Sequence, residues 1–171
     1  MNLEQGSGIT VCKMRNFLFL ISMVAVTVYL IVVAIEDHKT CEVTRWKHFI
    51  GFIPAFLWFV INVRQFLMVD LAIILAFLLA FICIGYVGIY GLADGFVFAI
   101  LLLLFGGVGG ITGIGVVILI MILACFSGMT EMLLRKIVTA ANFKQSRHIA
   151  FIPHILTGYT AVMIALFIWG Y

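Results

Sequence analysis

At 171 residues, with 65% hydrophobic residues, only 10% charged residues and a mean hydropathy of +1.30, the chain falls far outside the range of soluble domains, and lipid is the solvent its composition requires. Ten Lys/Arg against seven Asp/Glu leave a net charge of +3, spread over short stretches rather than gathered on one face, so the charge bears on membrane orientation and no nucleic-acid partner is expected. Cys12, Cys41, Cys83 and Cys125 stand singly with no C-x-x-C among them; they read as space-filling thiols, and no disulfide framework, metal or cofactor is expected.

The first apolar stretch, 17–35, follows Lys13 and Arg15. It is too long for the apolar core of a signal peptide and lacks an A-x-A exit, so it reads as a retained transmembrane helix. Further apolar stretches follow at 49–63, 71–90, 95–108, 111–129 and 149–169. About 20 apolar residues span the roughly 30 Å of hydrocarbon in a bilayer. The second and fourth stretches are shorter, and are expected to take in flanking polar residues or to begin inside the interface behind a neighbouring helix. The expected fold is a single all-α domain over 1–171, a polytopic bundle of about six transmembrane helices embedded in the lipid bilayer. Between the fourth and fifth spans runs Gly106-Gly107-Val108-Gly109-Gly110-Ile111-Thr112-Gly113-Ile114-Gly115. It does not fit G-x-G-x-x-G and has no Lys partner, so it reads as a tight turn. The G-x-x-x-G spacings Gly106/Gly110 and Gly109/Gly113 predict close approach of those two helices.

Alternating spans place the connections 36–48, 91–94 and 130–148 on one face. That face collects Lys39, Arg45, Lys47, Arg135, Lys136, Lys144 and Arg147, against Lys13, Arg15 and Arg64 on the other. Seven against three makes the first face cytoplasmic and puts both termini outside.

Of the seven acids, Glu4 lies in the N-terminal tail and Asp70 on the outer face, leaving Glu36, Asp37, Glu42, Asp94 and Glu131 at the cytoplasmic ends. Asp37 closes the first helix and Asp94 opens the fourth, at similar depth on one face. Alone, Asp94 reads as a helix N-cap and Asp37 as a solvated juxtamembrane acid. Together they are two carboxyls that cannot both ionise cheaply at a membrane boundary, so they would share a proton. One would draw a proton from water while the other donates to a scissile carbonyl oxygen, with no metal or covalent intermediate. Gly91, ahead of Asp94, is expected to let the backbone turn sharply and a substrate strand come close. His38, His48, His148 and His154 lack ligand spacing and read as interface anchors, and Trp46 and Tyr90 as belt aromatics.

Three segments carry a family resemblance. Asp37-His38-Lys39-Thr40-Cys41-Glu42-Val43-Thr44-Arg45 is similar to a run of Asp, basic residues and then an aliphatic residue, with Thr44-Arg45 in place of the usual Pro-Asn. Gly91-Leu92-Ala93-Asp94 is similar to G-x-G-D with Ala93 for the second Gly, followed by Gly95-Phe96 where a basic residue is frequent. Ile152-Pro153-His154-Ile155 resembles the proline motif that opens a sixth helix. In this order the chain resembles the type IV prepilin and preflagellin peptidases, GxGD-type membrane aspartyl proteases, in their short form without a methyltransferase domain.

The resemblance implies Asp37 and Asp94 as the catalytic pair, with Gly91, Ala93, Gly95, Lys39, Glu36 and Glu42 as motif or substrate-binding support. It also implies a prepilin- or pseudopilin-like substrate, a short basic leader ahead of a hydrophobic helix, cut at the cytoplasmic face of a prokaryotic inner membrane. Glu36, Glu42 and Glu131 would attract such a leader, or else simply solvate helix ends. The competing expectation is a non-enzymatic transporter subunit or assembly factor using the same acids for ions or partner helices. A transporter would carry ionisable groups near mid-span and paired broken helices, and the apolar spans here carry almost none.

Overall fold

The computed structural model describes residues 4–40, 42–87, 91–138 and 150–169, with side chains described within 15–137 and 150–169. Six α-helices follow one another: α1 Glu4–Thr40, α2 His48–Asn62, α3 Met68–Val87, α4 Leu92–Gly109, α5 Ile111–Val138 and α6 Ile152–Ile168. Among the described residues no strand occurs. Five helical segments are long and apolar enough to cross a membrane, and α6 is a shorter apolar helix. The protein is an all-α, multi-pass membrane protein.

Where helix ends depart from the hydropathy pattern, backbone hydrogen bonding outlasts apolarity. Helix α1 begins at Glu4 rather than at 17, and α5 runs on to Val138, past 129. The α5 extension carries Glu131 and Arg135, which pair at i, i+4 spacing as exposed helix turns favour. Short α2 gains length from 3₁₀ turns at Arg45–Lys47 and Val63–Gln65, making a span of 21 residues. The expected ends at 90 and 149 lie outside the described residues.

Helix α4 sits at the centre, packed on α1, α2, α3 and α5, while α6 lies against α5 and α1. Thirteen of its 18 residues are buried, as expected of a helix apolar on every side. Helix α3, equally apolar, fully buries only Ile74, Phe81 and Gly85, rests Leu71, Ile73 and Leu78 partly against the core and leaves much of its remaining surface exposed. Apolarity alone does not drive helices together in lipid; packing and interhelical hydrogen bonds do. Trp58 Nε1 on α2 donates to the Leu104 carbonyl on α4 at 3.1 Å, and the Thr27 and Tyr159 hydroxyls join α1 to α6 at 2.8 Å.

The glycine-rich stretch makes the turn expected of it, with Gly110 at φ 58°, a left-handed conformation that suits glycine. It does not form one G-x-x-x-G seam. A Cβ on Gly113 would strike the Phe105 backbone of α4, one on Gly107 would meet Trp58 of α2, and one on Gly106 would face Ile74 of α3. Only Gly113 admits α5 to α4. Cys83 and Cys125 are exposed, so they face outward instead of filling the core.

Candidate active site

On α1 the buried residues Val26, Leu30, Val33 and Asp37 recur at i, i+4, i+7 and i+11, one face of a helix. Asp37 therefore continues the core stripe and points inward, whereas Glu36 is only partly buried and His38 is exposed. On α4, Asp94 occupies the third helical position and its Oδ2 accepts the Gly91 N–H at 3.0 Å, the reciprocal half of a capping box. Both carboxyls are buried, each 8% exposed, and they lie near enough that the charge of Asp37 acts on Asp94. The structure thus brings the two predicted acids together at one end of the bundle.

Asp37 also caps a helix other than its own. Its Oδ2 accepts the Ile152 N–H at the start of α6, at 3.0 Å, and the Phe151 N–H bears on the same carboxyl. Pro153 follows at the first turn and contributes no N–H. The partial positive charge of the α6 N-terminus is therefore presented to Asp37. Asp94 leaves its Oδ1 without a hydrogen bond among the described residues, free to meet a water or a substrate carbonyl.

Gly91 acts differently from expectation. Its backbone, φ −60° and ψ 144°, is one any residue adopts, so no turn demands glycine there. A Cβ would lie 3.0 Å from Asp94 Oδ2, so the missing side chain makes room for the tucked carboxylate. Gly95 and Gly91 also receive Gly85 of α3 closely, at 3.4 Å from a Cβ placed on Gly85. Ala93 is half-buried and packs against the core.

The flanking charges divide into bound and open. Glu36 Oε1 accepts Lys47 Nζ at 2.8 Å and Thr44 Oγ1 at 2.7 Å, while its Oε2 is buried without a hydrogen bond. Glu131 pairs with Arg135 and with His154. Glu42 and Lys39 are exposed at the same end.

Two histidines expected as interface anchors are buried instead. His48 Nδ1 bonds the Tyr29 hydroxyl at 2.7 Å and its ring stacks on Phe96, two residues past Asp94, at 5.3 Å between centroids. His154 Nδ1 bonds Ser127 Oγ at 2.9 Å. These pairings join residues far apart in the chain, and only the Ile152-Pro153 helix start had a readable signal. His38 is exposed, and His148 and Tyr90 lie outside the described residues. Among the described residues no three His, Cys, Asp or Glu side chains gather as a metal site would need.

Compared with family models, with curated proteins and with solved structures, the chain matches none.

Proposed function

We propose that this protein is a membrane aspartyl endopeptidase of the prepilin-peptidase type, with Asp37 and Asp94 as its catalytic pair. The observation that carries the reading is the convergence of two buried carboxyls from separate helices at one end of an otherwise apolar bundle, where the charge of Asp37 bears on Asp94. Two such groups share a proton: the ionised carboxyl activates water, and the protonated one donates to the carbonyl oxygen of the scissile bond. The substrate is a short basic leader ahead of a hydrophobic helix, as in prepilins and pseudopilins, and its helix lies in the bilayer beside the enzyme. With Glu36 and Glu131 tied to Lys47 and to Arg135 and His154, exposed Glu42 is the acid left to meet a basic leader. By the positive-inside count the site faces the cytoplasm, and the family resemblance makes the membrane a prokaryotic inner one.

The test is cleavage of such a substrate co-inserted into liposomes with the full chain. Asp37→Asn and Asp94→Asn should each abolish cleavage by removing the shared proton, and Glu36→Gln should cost far less. Cleavage by the parent chain should follow a bell-shaped pH profile, falling when both carboxyls are protonated and again when both are ionised. Cleavage retained by either folded, inserted Asn variant would end the assignment. A transporter or assembly role would leave the substrate intact with every variant.

A further inference from the structure

The imidazole of His154 lies across the α5 backbone at Gly128, where a Cβ would stand 3.5 Å from its Cδ2. On one side Nδ1 bonds Ser127 Oγ at 2.9 Å; on the other Nε2 lies 3.0 Å from Glu131 Oε2, an electrostatic contact without hydrogen-bond alignment. Glu131 is in turn paired with Arg135. Ser127 and Glu131 are one turn apart on α5, so they grip the ring from both ends. The ring also touches Phe151, at 6.3 Å between centroids, and the His154 N–H closes onto the Phe151 carbonyl at 3.0 Å. Phe151 is the N-cap of α6, and the next residue, Ile152, donates the N–H that Asp37 accepts.

We propose that His154 is a positioning residue for this site: clamped between Ser127 and Glu131, it fixes the first turn of α6 so that the Ile152 N–H stays aimed at Asp37. The inference rests on the peptidase reading for its catalytic consequence, but not for its geometry. The body of α6 has separate anchors. Gly158 abuts the Ile120 carbonyl of α5, and the Tyr159 hydroxyl bonds Thr27 of α1. Loss of the imidazole should therefore loosen the first turn alone and leave the helix docked. A carboxyl released from that N–H drifts relative to Asp94, and small misplacements of reacting groups slow the chemical step far more than they weaken binding.

The experiment uses the full chain in liposomes, with two readouts. Amide hydrogen exchange of the parent, His154→Ala, His154→Asn and Ser127→Ala reports the clamp directly. In His154→Ala, exchange at residues 151–155 should rise about tenfold or more while that at 159–165 stays unchanged. Cleavage of the leader-bearing substrate reports the consequence: kcat should fall about 10- to 100-fold with KM within about twofold. His154→Asn, whose carboxamide oxygen can accept the Ser127 hydroxyl, should restore most of both. Ser127→Ala removes one grip without touching α6, and should give an intermediate loss even where His154→Ala fails to insert. Unchanged exchange at 151–155 overturns the proposal whether or not the chain cleaves anything. Raised exchange with unaltered kcat, or with an effect on KM alone, overturns it as well. Raised exchange in a chain whose parent form leaves the substrate intact upholds the clamp and sinks the peptidase reading.

Discussion

Gly91 and Asp94 form the smallest unit of the site. Because the Gly91 backbone is unstrained and its missing Cβ only clears Asp94 Oδ2, Gly91→Ala should fold normally. It should weaken a single cap bond, a loss of about 1 kcal/mol or less, while displacing the carboxylate enough to slow cleavage about tenfold. Denaturant unfolding in micelles checks the first half: in an Asp94→Ala background the same substitution should cost nothing. A loss of several kcal/mol would mean the turn itself needs glycine. Asp37 was legible in the sequence because it closes the first apolar span at the depth at which Asp94 opens the fourth; the stripe of Val26, Leu30 and Val33 that carries it inward shows only in the packing. The N–H donor to Asp37 was not legible, because Ile152 lies 115 residues away and only packing brings it there. The glycine was noticed for the right place and the wrong cause: a string shows where a side chain is missing, not which atom occupies the space.

At the level of helices, two glycines of α5 make a matched comparison. A Cβ at Gly113 would run into the α4 backbone, whereas at Gly115 nothing lies within 4 Å. Gly113→Ala should therefore destabilise the bundle by about 1–3 kcal/mol through forced separation of α4 and α5. Gly115→Ala should be neutral or stabilising by about 0.5–1 kcal/mol, because alanine loses less backbone entropy in a helix. Unfolding curves of the two variants decide it, and equal effects would mean that the α4–α5 contact is not where the backbones meet. Helix number and order were legible from hydropathy alone. Helix ends were less so, since α1 and α5 extend beyond their apolar stretches on hydrogen bonds and the Glu131–Arg135 pair. The partners of Gly106 and Gly107 were hidden too, because identical spacing serves different neighbours.

For the molecule as a whole, the shared end of α1, α4 and α6 puts both acids at one end of the bundle. Trp46, 58% exposed, stands at that end, and Leu67, 73% exposed, at the other. In a cysteine-free background, single cysteines at these positions should react with an impermeant maleimide from opposite sides. Position 46 should label from the cytoplasmic side. Reaction of both from one side would break the alternation of spans, and the reverse pattern would invert the orientation. The central place of α4 could not be read from its sequence against that of α3, since each is apolar after a single acid in its first turn, yet thirteen residues are buried in one and three in the other.

Asp37 is made early, on the first helix, yet it is capped by the last. During synthesis, five helices are made before the amide that holds this carboxyl. The acid pair thus reaches its finished arrangement only once α6 has been made, and a nascent chain that stops short of α6 lacks the amide that holds Asp37.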